Sequence, residues 1–457
     1  MMRAPERPPQ SGDEPTDFAA DARALAETGG RVADACLLNR GIKSILRCDE
    51  AEVVAGIARY VMTQHRSLRV GAAFVERARH TPIPAVLALL GGLTRFLELR
   101  APERRDGAVW VARLSNERRA IEPLLSMSPE LNWSELKFRR RPDVAALAAL
   151  VRSLSSNWRR TLRLAHRLHR RYEFFKVLRV VELIGYYTRY LGIFRRGRYR
   201  LAVTSNHSNP HGIAFNLAAR RCGVPVVLVT HGMPVRPVAR LSYDLALVHC
   251  EAARQTYLAE GCRLTRVLVH GRRQQYAPMR ADQLPARLTV GIFLCKDVQE
   301  ERLRTIVALL LGDARVARIL VRPHPKNLWR GLDAWLAALN CERVERSAGG
   351  SVFRDVAAAD IVLAGNSSVL VDAVIVGRPA AYVPGLDYGS HDLHAFVARG
   401  LIYPLVDELS FDYDAIRRFY QRPDWPVVLR LFANIEEDEA AVSMQACAAM
   451  HALNAGD

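Results

Sequence analysis

The chain has 457 residues, half of them hydrophobic and a quarter charged, with a formal net charge of +18. That length accommodates two or three domains of ~100–200 residues, and a composition this apolar excludes a chain without a packed core. The longest apolar run, Pro84 to Leu93, is broken by Gly91-Gly92 and followed by Thr94-Arg95, short of the ~20 residues of a membrane-crossing helix, so no transmembrane span is expected. Eight cysteines, at 36, 48, 222, 250, 262, 295, 341 and 447, show neither a CxxC pair nor matching histidine spacing. They argue against a zinc site or a disulfide framework and read as reduced packing residues. The positive charge is local: residues 151–200 hold 14 Lys/Arg against two Glu. A patch of this kind suits an anionic neighbour.

In chain order, residues 1–18 are rich in proline and acidic groups, lack the apolar segment of a signal peptide and read as a disordered tail, so export is not expected. A helical N-terminal region spans 19–106. The first strand signal is AVWVARL at 108–114, a second lies at Trp133 to Phe138, and 143–191 forms a long basic helical insertion. There Trp158, Leu162, Ala165, Leu168, Tyr172, Phe175 and Leu178 recur at helical spacing, with Arg159, Arg160, Arg163, Arg167, Arg170 and Arg171 mainly on the other side. This amphipathic face has three readings: a solvated face on a core helix, a dock for an anionic membrane surface, or a nucleic-acid contact, the last least favoured.

After Arg200 the pattern turns regular. LAVTS, a helix through 213–221, VPVVLVTHG, DLALVH, a helix from Glu251 and VLVHG alternate to about 271. A polar stretch at 272–287 reads as a linker. LTVGIFL, helix 298–311, ARILVRPHP, helix 328–339, CERVE, helix 351–358, strand 361–363, a polar turn, a helix and a last apolar run then restart the alternation. Short apolar strands alternating with helices predict an α/β chain with parallel sheets covered on both faces. Two Rossmann-like domains are therefore expected, 107–271 and 288–457, the second ending in helices.

Ligands of open parallel sheets bind at the carboxyl ends of the strands, so polar residues directly after apolar runs are the candidates. Four places stand out: His231 in THGMP; Arg322, His324 and Lys326 in VRPHPKN; Asn366, Ser367 and Ser368 in AGNSSVLV; and Asp387 and His391 in GLDYGSHDL. Asp372, in the helix after the serines, is a further cleft candidate. Asn366 can cap that helix, presenting the serine hydroxyls and free backbone N–H groups to a phosphate. Each place also reads as ordinary structure: a helix cap, a tight loop, a solvent-facing loop. Asp412-Tyr413-Asp414 reads as a helix cap, and no metal site is expected.

The combination of HG after a first-domain strand, RPHP after a second-domain strand and SSVLVDAVIVGRPAAYV beyond it, spread over about 200–405, resembles GT-B glycosyltransferases of bacterial surface and capsular polysaccharide synthesis. It is similar to the CDP-glycerol glycerophosphotransferase, Kdo-transferase and bacterial sialyltransferase branches. The resemblance implies two Rossmann-like domains facing each other across a cleft, the first on the acceptor side and the second holding the nucleotide. It also implies His231 as base, with His324, Ser367 and Ser368 on the nucleotide and its phosphates. The chain departs from the sialyltransferase pattern in lacking an acidic-acidic-glycine motif, and from the glycerophosphotransferase pattern in placing Gly365-Asn366 before the serines.

Transfer from a nucleotide donor needs a group to take the acceptor proton and positive partners for the leaving phosphate, and His, Arg and helix-start residues suit those tasks without a metal or other cofactor. The expected partners are a nucleotide-activated donor of CMP or CDP type, a glycan or lipid-linked acceptor, and an anionic inner-membrane surface meeting Arg159, Arg163, Arg167 and Arg170. Nucleic acid is not favoured. The expected location is cytoplasmic, on the inner face of the membrane. Two alternatives stay open: a nucleotide-sugar 2-epimerase or hydrolase, and a non-enzymatic basic scaffold.

Overall fold

The computed structural model describes residues 75, 78, 80–139, 158–170, 174–207, 209–234, 241–259, 266–271, 277–325, 329, 331–387, 392–405, 411–433 and 439–455. Lys326 and His391 lie outside them, as do Arg171, Tyr172 and the tail.

The first sheet contains β1 (Leu99–Arg100), β2 (Asp106–Val111), β3 (Trp133–Phe138), β4 (Arg198–Thr204), β5 (Val226–Val229), β6 (Leu245–Val248) and β7 (Arg266–Val269), in the order β1-β3-β2-β4-β5-β6-β7. All pairings are parallel except the short edge pair β1–β3. Alternate residues of its strands feed two separate cores, as the two-residue period of a strand requires. Val109, Val111, Ala202, Leu228 and Val248 face one side, while Trp110, Leu201, Val203, Val229 and Leu247 face the other.

The first of these sides is covered by α4 (Phe174–Phe194) and α5 (Pro210–Arg221), with α1 (Ile83–Glu98) and α3 (Trp158–His169) packed outside α4. α4 is buried almost all round through Val177, Val180, Val181, Leu183, Ile184, Tyr186, Tyr187 and Tyr190. The long basic helix expected at 143–191 is therefore corrected. Among the described residues its exposed arginine face is confined to α3 and Arg170, whereas Arg179 is ion-paired with Glu182 and the buried Arg189 donates to the Leu99 carbonyl at 3.2 Å.

The second sheet comprises β8 (Leu288–Phe293), β9 (Val316–Arg322), β10 (Val344–Arg346), β11 (Ile361–Ala364), β12 (Ala380–Tyr382) and β13 (Tyr403–Pro404). Its order, β10-β9-β8-β11-β12-β13, is parallel throughout, the 3-2-1-4-5-6 arrangement of a Rossmann sheet. Helices α7 (Glu300–Gly312), α8 (Leu332–Ala338), α9 (Val352–Ala358) and α10 (Val369–Ile375) form its crossovers. Two Rossmann-like sheets are thus present, as the alternation of strands and helices predicts.

The C-terminal helices α11 (Tyr413–Tyr420), α12 (Trp425–Phe432) and α13 (Glu439–Ala455) divide between the two bodies. Asp412 caps α11, its Oδ1 accepting from the Ala415 N–H at 2.9 Å, as expected. α13 departs from the expected division at 288. Its Ala446, Ala449 and Met450 are buried against Trp110, Leu201 and Val203, on the back of the first sheet, because its small apolar residues complete the second face of that core.

Candidate active site

In a doubly wound sheet the crevice for ligands opens where strand order reverses. In the first sheet that point lies between β2 and β4, and it is filled. α2 (Ser115–Met127) starts just past β2 and turns Glu117, which is 0% exposed, into the gap. One carboxylate oxygen accepts from Asn206 Nδ2 at 2.7 Å. The other accepts from the backbone N–H of Arg113 at 2.6 Å and of Leu114 at 3.2 Å, with His211 Nε2 at 3.4 Å. Burial alone pushes this carboxyl up, but His211, the Arg113 amide and Asn206 together outweigh it and hold it down at about 2. Asn206 in turn accepts from the Asn209 N–H at 2.7 Å. Gly212 lies so close to the Asn206 carbonyl that any side chain there would collide with it. The loop after β4 is thereby fixed from three sides.

That loop aims the histidine at the next strand exit. His231 follows β5, is exposed, and brings Nδ1 to 2.7 Å from the Ser205 carbonyl oxygen and 3.0 Å from its Oγ. A carbonyl can only accept, so Nδ1 carries a proton, and in the neutral ring the lone pair is on Nε2. Around it, further histidines occupy neighbouring strand exits. His207 meets the Tyr257 hydroxyl at 3.2 Å through Nε2, and burial, aided by His231, pushes it down to about 4. His249, after β6, is pushed down to about 4 by burial and then by His231 and His394. Both are neutral imidazoles at pH 7. Among the described residues no group of three or more His, Cys, Asp or Glu side chains has the geometry to hold a metal ion.

The opposite wall is the switch point of the second sheet, between β8 and β11. Here the Gly365–Ser368 turn leaves β11, and Cys295, just past β8, donates its thiol to the Asn366 carbonyl at 3.5 Å. The structure corrects three expectations at this edge. Asn366 does not cap α10, whose N-cap is Ser368 with helical backbone angles and no side-chain cap bond. Instead its backbone N–H and Nδ2 donate to Asp387 at 2.5 and 3.1 Å, and its Oδ1 accepts from the Leu393 N–H at 2.8 Å. Asp387 is correspondingly buried and committed, and a side chain at position 365 would strike its carboxylate. Arg322 is also committed: its guanidinium pairs with Asp355 and donates to the carbonyls of Gly350 at 2.7 Å and Ser351 at 3.3 Å. The carboxylate and the bare carbonyls of the loop after β10 draw it away from the strand ends.

What the turn leaves open is smaller and sharper. Ser367 Oγ accepts weakly from the Val369 N–H at 3.4 Å, Ser368 is exposed, and His324 is exposed at the exit of β9 on the same sheet edge. One turn along α10 from Ser368, Asp372 has no hydrogen-bond or ion-pair partner for its carboxylate among the described residues. Burial pushes it up to about 6.

The two walls are joined. The segment after Leu393 crosses to the first domain, where His394 lies near the Pro234 backbone. Arg399 donates to the Ala252 carbonyl at 3.1 Å and to Thr256 Oγ1 at 3.0 Å, both on α6 (Glu251–Ala259). The Leu393 N–H bond to Asn366 Oδ1 ties the serine turn to this crossing segment. Ser205, Asn206, His207 and His249 are absent from the sequence-derived candidates, although the strand-exit rule that finds His231 applies to them equally. Glu117, inside an ordinary charged helix, carries no comparable signal.

No family model and no curated protein sequence matches the chain. Similar solved structures include Staphylococcus aureus MnaA in complex with UDP, at 12% identity and a TM-score of 0.43, covering 75% of this chain and 95% of that one. UDP-GlcNAc 2-epimerase from Neisseria meningitidis bound to UDP-GlcNAc is 12% identical with a TM-score of 0.41, covering 76% and 99%. The glycosyltransferase SnogD from Streptomyces nogalater is 12% identical with a TM-score of 0.39, covering 76% and 100%.

Proposed function

We propose that the chain is a transferase that moves a sugar or polyol phosphate from a nucleotide-activated donor, of CMP or CDP type, to a surface-polysaccharide or lipid-linked acceptor at the inner face of a membrane. The observation that carries the reading is the fixed tautomer of His231. With Nδ1–H held by the Ser205 carbonyl at 2.7 Å, Nε2 is a preset proton acceptor at a strand exit facing the second domain. In the proposed reaction the acceptor hydroxyl gives its proton to Nε2. Its oxygen then bonds to the transferred group while the bond from that group to the nucleotide phosphate breaks, the electron pair leaving on the phosphate oxygen. The hydroxyls of Ser367 and Ser368 and the imidazole of His324 hold the nucleotide phosphates, and the unpartnered Asp372 carboxylate accepts from donor hydroxyls. Arg322, Asn366 and Asp387 support this wall rather than touch the ligand. Lys326 and His391, outside the described residues, are assigned to the phosphates and to the cleft from the sequence alone.

The test is twofold. Calorimetric titration with CMP, CDP, UDP and GDP should give one preferred nucleotide whose affinity falls in His324→Ala and in Ser367→Ala/Ser368→Ala; unchanged affinity for all four sinks the nucleotide site. Incubating the donor without acceptor separates transfer from the alternative reading, because rapid donor turnover under those conditions favours a 2-epimerase or hydrolase.

A further inference from the structure

We infer that the outer faces of α1 and α3 form a docking surface for an anionic lipid bilayer. α1 carries Ile83, Val86, Leu87 and Leu90 at i, i+3, i+4 and i+7, exposed by 52, 43, 41 and 53%. They form one aliphatic stripe opposite the buried Ala85, Ala88, Gly92 and Phe96. Water-exposed side chains of this size, aligned on one helix face, mark a surface that meets another phase or molecule. α3 lies beside α1, with Trp158 edge-on to Phe96 at 6.4 Å between ring centroids, and both helices pack on α4. The sequence of α3, WRRTLRLAHRLH, contains no acidic residue. Arg159, Arg160, Arg163, Arg167 and Arg170 are all exposed, and none has an ion-pair partner among the described residues. By contrast, Arg95 on α1 is neutralised by Glu98 and Glu182 at 2.9 and 2.8 Å.

An aliphatic row and an uncompensated arginine row on adjacent helices are together the chemistry of the bilayer boundary. Acyl chains accept the first while anionic headgroups accept the second. A nucleic acid would use the arginines and leave four aliphatic side chains in water. An acidic protein surface would satisfy the arginines but offers the stripe nothing in particular. Among the described residues no helix is long and apolar enough to cross a membrane, so the contact inferred is with the surface. The inference rests on no part of the transferase reading.

Co-sedimentation of the full chain with vesicles of phosphatidylcholine alone, or mixed with phosphatidylglycerol, tests it. Binding is expected to the anionic vesicles only and to weaken as salt rises. Each arginine removed should cost roughly fivefold, so Arg159→Gln/Arg163→Gln/Arg167→Gln should weaken binding on the order of a hundredfold. Leu87→Gln/Leu90→Gln should weaken it by about tenfold or more. All five positions are exposed, so thermal melting should be unchanged, and the arginine variant decides the matter if the leucine variant folds poorly. Absence of wild-type binding overturns the inference, as does equal binding to neutral vesicles or binding that neither variant alters. If Leu87→Gln/Leu90→Gln instead changes the mass in sedimentation velocity while vesicle binding stays intact, a second copy of the chain covers the stripe, which also overturns it.

Discussion

Replacing Glu117 by Gln keeps the size of the side chain and removes its charge, which isolates what the buried carboxylate contributes. The wild-type group accepts from Asn206, from two backbone N–H groups and from the vicinity of His211. A glutamine amide would turn a donor toward donors at one of these positions. Depression from the ordinary 4.5 to about 2 corresponds, at about 1.4 kcal/mol per pH unit, to about 3 kcal/mol. Because the folded-state value lies below the unfolded one, this stabilisation is fully present above pH ~4.5 and is lost as pH falls toward 2. Urea unfolding of wild type and Glu117→Gln should therefore differ by about 3 kcal/mol at pH 7, with roughly half of that difference remaining at pH 3.5. Equal gaps at both pH values would refute the assignment of the effect to a buried charge. A gap under ~0.5 kcal/mol at pH 7 would show that the network does not hold the loop after β4.

His231→Gln should lower the turnover of transfer by about 10²–10⁴-fold while leaving nucleotide affinity unchanged in calorimetry; a loss of affinity with turnover retained would place the residue on the donor instead. Asp372→Asn should have opposite effects on stability and binding. Its folded-state value lies above the ordinary carboxylate, so ionisation costs stability as pH rises from 3.8 to about 6. The asparagine variant should be more stable at pH 7 by about 3 kcal/mol, little changed at pH 4, and weaker in nucleotide binding. Asp412→Ala should cost about 1 kcal/mol in thermal or urea unfolding through loss of the α11 cap, with no effect on nucleotide affinity.

Much of the architecture is legible in the sequence because buried parallel strands write themselves as short apolar runs. Nearly every such run past position 106 became a strand, within one or two residues. What the runs do not encode is their lateral order. That β8 lies beside β11, and β2 beside β4, decides which strand exits border a crevice, and this order is fixed only by packing between distant segments. The same limit explains the misplaced site residues. Asn366 looks like a cap when read against its own helix, but the buried Asp387, 21 positions downstream, outcompetes that local role. Arg322 looks like a phosphate ligand beside a histidine, but Asp355 lies closer once β10 and α9 have folded against it. The basic helix failed in the reverse sense. A helical period with arginines on one side describes α3 well, yet past Phe174 the apolar residues wrap the whole circumference, and the period that marks an exposed face disappears.

The return of α13 to the back of the first sheet makes the second Rossmann body an insertion in the covalent order of the chain. The polypeptide leaves the first body after β7 and re-enters it after α12, so two tethers join the domains rather than one. Arg399, which donates to Ala252 and Thr256 on α6, adds a non-covalent link to those two covalent ones.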